Sequence, residues 1–311
     1  MDRDRLIFCP DLATGLTTRL NTQVMAEELA EKVFGDRGFA KLLKARYDQM
    51  GKLFRDAHYN DPRWDLPGYD GCENCATPNK RDARLKVPKN KIHCNGNNAN
   101  VTRLFDYDNF GHDMPVWLSY NDDPNARRVM IISQDPKRDN DQRGNIYLST
   151  PFGLHSRDWR RGNAQVRQIA HMLMDSGYCV YFTDSMKFYA GDGSVVRQSI
   201  DNNDQDGYKG IFSVALNVEI ERVNPAVIIK LGDEALNSDY IDSVFANSHN
   251  AFDGFDLQEI NGRQVIAAYH PNGTKGAIGR IRKLVNNAER PVKTYYQSIA
   301  QTAINYLGLI A

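Results

Sequence analysis

The sequence has no long apolar run, no excess of either charge and few cysteines, and each shortage narrows what the chain can be. No stretch of the 311 residues approaches the roughly 18 apolar residues that a membrane-spanning helix requires, so no membrane partner is expected. The 39 basic residues are offset by 39 acidic ones, and a nucleic-acid partner must therefore be met by a local basic surface. Five cysteines, an odd number, argue against a disulfide framework. The stretch Met1-Asp2-Arg3-Asp4-Arg5 is charged where a signal peptide is apolar, and a cytoplasmic location is expected. Internal repeats and low-complexity segments are also missing.

What the chain does have is the run Val129-Met130-Ile131-Ile132-Ser133-Gln134-Asp135-Pro136, apolar until it stops on an acid and a proline. So short and apolar a run reads as a buried strand of a parallel sheet. The proline turns the chain into a loop at the strand's carboxyl end. That edge of an open α/β sheet is where ligands bind, which directs Asp135 into a crevice.

Around this run the chain divides in two. Residues 1–120 read as an N-terminal extension, with helical spacing over 22–56 and then an irregular stretch over 56–115. The irregular part carries a basic tract and Cys72, Cys75 and Cys94. An irregular segment of that length is unusual inside a compact domain unless something staples it. Residues 121–311 alternate strands and helices. Strands are predicted over 127–133, 178–182, 226–231 and 264–269, and helices over 163–175, 209–223, 278–287 and 292–309, with another starting at 233. Gly177 is expected to cap the first of these helices. The alternation predicts an α/β fold: three layers, α/β/α, around a central, mainly parallel four-stranded sheet, with the helical and irregular cysteine-containing extension attached.

Four segments at the predicted strand ends carry the chemistry. Ser133-Gln134-Asp135-Pro136 resembles the water-activating loop of the uracil-DNA glycosylase superfamily. Thr183-Asp184-Ser185-Met186-Lys187 resembles its base-reading loop, Leu231-Gly232-Asp233-Glu234-Ala235 its Leu-Gly-x-x-Ala turn, and His270-Pro271-Asn272-Gly273 its His-Pro-Ser loop. The resemblance spans about residues 127–290 and implies a monofunctional DNA glycosylase acting on an extruded base. Asp135 and His270 would be catalytic. Gln134, Lys137, Asp184 and an aromatic, Tyr147 or Phe152, would contact the base. Lys187, Asn272, Gly273, Thr274, Lys275 and Arg280 would contact DNA. Such a reaction builds positive charge on the sugar, which a carboxylate stabilises, and negative charge on the departing base, which a donor such as histidine stabilises.

Two positions depart from the superfamily pattern. Lys137 stands where the uracil-specific branch has a tyrosine that excludes a C5 methyl group. Asp184 stands where the superfamily has asparagine. An ionised Asp184 only accepts hydrogen bonds, which suits the N4 amino group of cytosine, and burial would favour a protonated acid able to pair with N3 as well. Together these suggest a C5-modified cytosine, such as the hydroxymethylated or glucosylated cytosine of phage DNA, and a role in antiviral defence. The alternatives are a uracil-DNA glycosylase of base excision repair and a catalytically silent DNA-binding relative. The basic clusters Arg157, Arg160, Arg161, Arg167 and Lys275, Arg280, Arg282, Lys283 would meet DNA phosphates, and the second, beside the His270 loop, weighs against an enzyme of free nucleosides.

The chemistry itself needs no cofactor. Cys72-x-x-Cys75 with Cys94, completed by Cys9 or His93, has the texture of a structural zinc or iron–sulfur site, although a lone C-x-x-C is often incidental. The third cluster ligand of related iron–sulfur branches falls at Phe188, so their arrangement does not transfer. Cys179, within an apolar strand, reads as core.

Overall fold

The computed structural model describes residues 7–9, 86–88, 110–113, 115–119, 125–133, 145–149, 151, 164–186, 188–190, 216–217, 219–232, 255, 257–260, 262–271 and 274–310. Eleven strands and three complete helices fall within them. The strands are β1 (Ile7–Cys9), β2 (Lys86–Pro88), β3 (Phe110–Asp113), β4 (Val116–Ser119), β5 (Arg128–Ser133), β6 (Asn145–Ser149), β7 (Cys179–Asp184), β8 (Phe188–Ala190), β9 (Val227–Leu231), β10 (Gln258–Ile260) and β11 (Arg263–Ala268). The helices are α1 (Ala164–Asp175), α2 (Thr274–Leu284) and α3 (Pro291–Leu309).

The main sheet is α/β in character but wider than the four strands expected. Seven strands lie in the order β1-β4-β7-β5-β9-β11-β10. β5 pairs parallel with β7 on one side and β9 on the other, and β9 pairs parallel with β11. The outer pairings, β1 with β4, β4 with β7 and β10 with β11, are antiparallel, so the sheet is mixed. Strands β1 and β4, both before residue 121, thus extend the sheet that carries the later ones. A second sheet, β2-β6-β3-β8, takes strands from the stretch read as irregular.

The apolar runs explain the inner strands. β5, β7 and β9 are buried along most or all of their length, which requires cover on both faces. On one face Val129, Ile131, Val180, Phe182, Ile229 and Ile266 join Val166, Ile169 and Leu173 of α1 and Ile299, Ala303 and Leu307 of α3 in one core. On the other, Met130, Ile132, Tyr181, Ile228 and Val265 are buried too. Helical residues 219–223 reach that second face, since Tyr181 Oη donates to Glu219 Oε1 at 3.1 Å.

Helix ends follow local chemistry. Gly177 adopts φ +88° after α1, with Gly177 N–H bonded to Met174 O at 3.0 Å and Tyr178 N–H to Leu173 O at 3.1 Å, the pairing of a Schellman cap. The helix predicted over 278–287 is shifted: α2 begins at Thr274 and stops at Leu284. Its end is set by Asn286 and Asn287, at φ +51° and +55°, with Asn287 N–H reaching back to Arg282 O at 2.7 Å. Asparagine tolerates this left-handed conformation, so a residue pair read as helix is a cap. Arg127, just before β5, donates to the carbonyls of Leu307 and Ile310 at the far end of α3. The predicted helix over 22–56 and most of that over 209–223 lie outside the described residues. Among the described residues no helix is long and apolar enough to cross a membrane.

Ile229 is wholly buried on the inner strand β9. Ile229→Ala should lower unfolding free energy by about 2–5 kcal/mol, read from urea denaturation, with an unchanged m-value.

Candidate functional site

The carboxyl ends of the four parallel strands share one edge of the sheet. Ser133 closes β5 and is in register with Asp184, which closes β7. Leu231 closes β9 in register with Ala268 at the end of β11. Backbone bonds then tie the departing chains: Ser185 N–H donates to Ser133 O at 2.9 Å, and Gly232 N–H to Ala268 O at 2.8 Å. The sheet therefore delivers the segments that begin with Ser133, Asp184, Gly232 and His270 to a common rim. Asp135 falls two positions past the last described residue of β5.

His270 is partly buried and its place is prepared by neighbours. Gly232 stands beside it at φ +110°, a conformation side chains rarely adopt, and a Cβ there would lie 3.2 Å from His270 Cβ. The glycine of the Leu-Gly turn thus provides both the backbone turn and the room for the histidine. From the other side, α3 grips the preceding residue. Tyr269 N–H donates to Tyr295 Oη at 3.1 Å, and Tyr296 Oη donates to Tyr269 O at 2.5 Å. Burial raises both phenols well above the ordinary tyrosine range, so both hydroxyls keep their protons at physiological pH. The rings of Tyr295 and Tyr296 meet edge to face with centroids 5.1 Å apart.

Asp184 is enclosed, with 1% of its surface exposed, and its backbone N–H donates to Asp113 Oδ2 at 3.1 Å. The same Asp113 oxygen lies 3.0 Å from Thr183 Oγ1, which is also 2.8 Å from Glu219 Oε1. Asp113, Thr183, Glu219 and Lys230 are all buried; Thr183 opens the segment likened to the base-reading loop, and none of the four was assigned a role from sequence. Two of them had a legible signal. Glu219 lies on the apolar stripe of Leu216, Ile220 and Val223, and Lys230 interrupts the run Val227-Ile228-Ile229-Lys230-Leu231.

The other predicted residues divide plainly. Arg280 is exposed on α2, as are Arg282 and Lys283, so three cations project from the helix that starts four residues after His270. Thr274 and Lys275 open that helix. Tyr147 lies on β6 of the second sheet, opposite Gly111 and Lys86. Gln134, Asp135, Lys137, Phe152, Lys187, Asn272 and Gly273 lie outside the described residues, as do Arg157, Arg160 and Arg161. Cys9 ends β1, in register with Trp117, whereas Cys72, Cys75, Cys94 and His93 lie outside the described residues. Among the described residues no group of three or more His, Cys, Asp or Glu side chains is arranged to hold a metal ion, and no step below depends on one. Cys179 is buried, with its thiol 3.4 Å from Ser119 Oγ.

The sequence matches no family model and no curated protein.

Two substitutions test how the rim is built. Gly232→Ala should cost about 1–3 kcal/mol in thermal or urea unfolding and should shift the His270 imidazole resonances. Tyr296→Phe leaves the Tyr269 carbonyl without its phenolic donor and should cost about 1–3 kcal/mol by the same unfolding measurement.

Proposed function

We propose that this protein is a monofunctional DNA glycosylase that hydrolyses the N-glycosidic bond of an extruded base, a C5-modified cytosine, and leaves an abasic site. The observation that carries the reading is the shared rim. Four adjacent parallel strands end together, and their ends lead into the segments holding Asp135, Asp184, Gly232 and His270. A crevice beyond the carboxyl ends of such strands is where an open α/β sheet binds its ligand. In this reading the domain is a three-layer α/β/α sandwich, and burial on both sheet faces supports it.

The residues take complementary tasks. As the bond between C1′ and the base nitrogen breaks, its electrons leave with the base and the sugar becomes cationic. Asp135 faces that cation and accepts a proton from the water whose oxygen bonds to C1′. His270 donates a ring N–H to the base oxygen on which negative charge develops. The departing base is then protonated from solvent. Gly232 and the Tyr295–Tyr296 grip support this role for His270, because a donor acts only if it is already aimed when charge appears.

Asp184 reads the base edge. Enclosure favours its neutral form, which donates as well as accepts and so pairs with N3 and the N4 amino group of cytosine. A base reaching it must displace what covers the carboxyl. Lys137 is the residue expected beside the C5 substituent. The exposed Arg280, Arg282 and Lys283 and the N-terminus of α2, whose first turn holds no acid, suit phosphates of the DNA strand.

The test is base release from matched oligonucleotides carrying uracil, thymine, cytosine, 5-hydroxymethylcytosine or its glucosylated form. Release confined to a modified cytosine is expected. Uracil-only release would refute the substrate assignment, and release from none would refute the glycosylase reading. Asp135→Asn and His270→Ala should each lower turnover by at least about 100-fold while DNA affinity, measured by fluorescence anisotropy, stays within a few-fold.

A further inference from the structure

Thr183 stands between two buried carboxyl groups. Its Oγ1 is 3.0 Å from Asp113 Oδ2 and 2.8 Å from Glu219 Oε1, and none of the three residues is more than 1% exposed. A threonine hydroxyl carries one proton and can donate to only one of these oxygens at a time. The other contact is a hydrogen bond only if that carboxyl supplies the proton. With both acids ionised, lone pairs would face each other across a short gap of low dielectric.

Glu219 Oε1 also accepts from Tyr181 Oη at 3.1 Å, and Asp113 Oδ2 accepts from the Asp184 backbone N–H at 3.1 Å. Among the described residues the titratable groups near the pair are Tyr181 and Asp184 of β7 and Lys230 of β9. Cys179 lies further along the Thr183 face of β7. Lys230 shares the Thr183 face, because both are in register with Ile132 of the intervening β5.

We propose that Asp113 and Glu219 hold a single proton between them through Thr183, and that this proton fixes the carboxyl end of β7. In one arrangement Asp113 donates to Thr183 Oγ1 and Thr183 donates to Glu219; in the other the direction reverses. Either way every contact has one donor and one acceptor. Asp113 is then a positioning residue that reaches from the second sheet to hold the Asp184 backbone. The inference does not depend on which reaction the rim performs.

Linkage fixes the sign of its consequence. The folded pair keeps a proton that the unfolded chain releases above about pH 4. From there upward the folded state binds the extra proton, so stability falls as pH rises, by up to about tenfold in the folding constant per pH unit. The fall ends where the folded pair loses its proton.

The experiment is isotope-edited infrared spectroscopy of the full chain at neutral pH, with carboxyl carbons labelled in Asp or in Glu, beside pH-dependent urea unfolding. In an Asp184→Asn background, which removes the other carboxyl held neutral by enclosure, a protonated carboxyl band should remain and should disappear on adding either Asp113→Asn or Glu219→Gln, since either amide lets the remaining acid ionise. In that background both substitutions should also remove the decline in stability with pH. A band that survives one of the two substitutions there would assign the proton to a single residue and overturn the shared arrangement. A spectrum with no protonated carboxyl, in the wild type or in Asp184→Asn, would overturn it outright, even if neither further variant folds.

Discussion

The inner strands β7, β5, β9 and β11 have no solvent face, and much of the molecule's organisation follows from that. A strand enclosed on both sides can carry polar groups cheaply only at its ends, or in its interior if partners are supplied. The ends become the rim, where Ser133, Asp184 and His270 emerge. The interior exceptions are Thr183 and Lys230, and the partners identified for Thr183, Asp113 and Glu219, are themselves enclosed. Site and core are thus joined by the sheet's requirement that buried polar atoms be satisfied.

The rim is also braced from behind. α3 contributes Ile299, Ala303 and Leu307 to the core and two phenolic hydroxyls to the backbone of Tyr269. The same helix therefore packs the sheet and fixes the residue before His270. Gly232 braces the histidine from β9 by having no side chain. Both shape where the imidazole sits.

Strands buried on both faces were legible because a run such as Val129–Ile132 is short, apolar throughout and rich in β-branched residues, and the end of α1 was legible because Gly177 announces its cap. The short strands were not. β1, β2 and β8 span three residues each, and β3 and β4 four, too few for a period to register. β10 and β11 flank Asn261-Gly262, a strong hairpin signal in the sequence; Gly262 adopts φ +75°. The rim residues could be anticipated from strand ends alone. The acid pair could not, because Asp113 comes from the second sheet and meets Thr183 only through a contact 70 residues apart in sequence.

Arg127 and the carbonyl of Leu307 are 180 residues apart, yet they close the same end of the core. During synthesis, at about 5–20 residues per second, some 10–40 s separate the appearance of the two. For the last part of that interval, once β9 has emerged, the sheet face that α3 will cover, including Val129, Ile131 and Ile229, waits without that helix. The nascent chain thus carries an apolar surface that α1 covers in part and that α3 finishes closing only after its own synthesis.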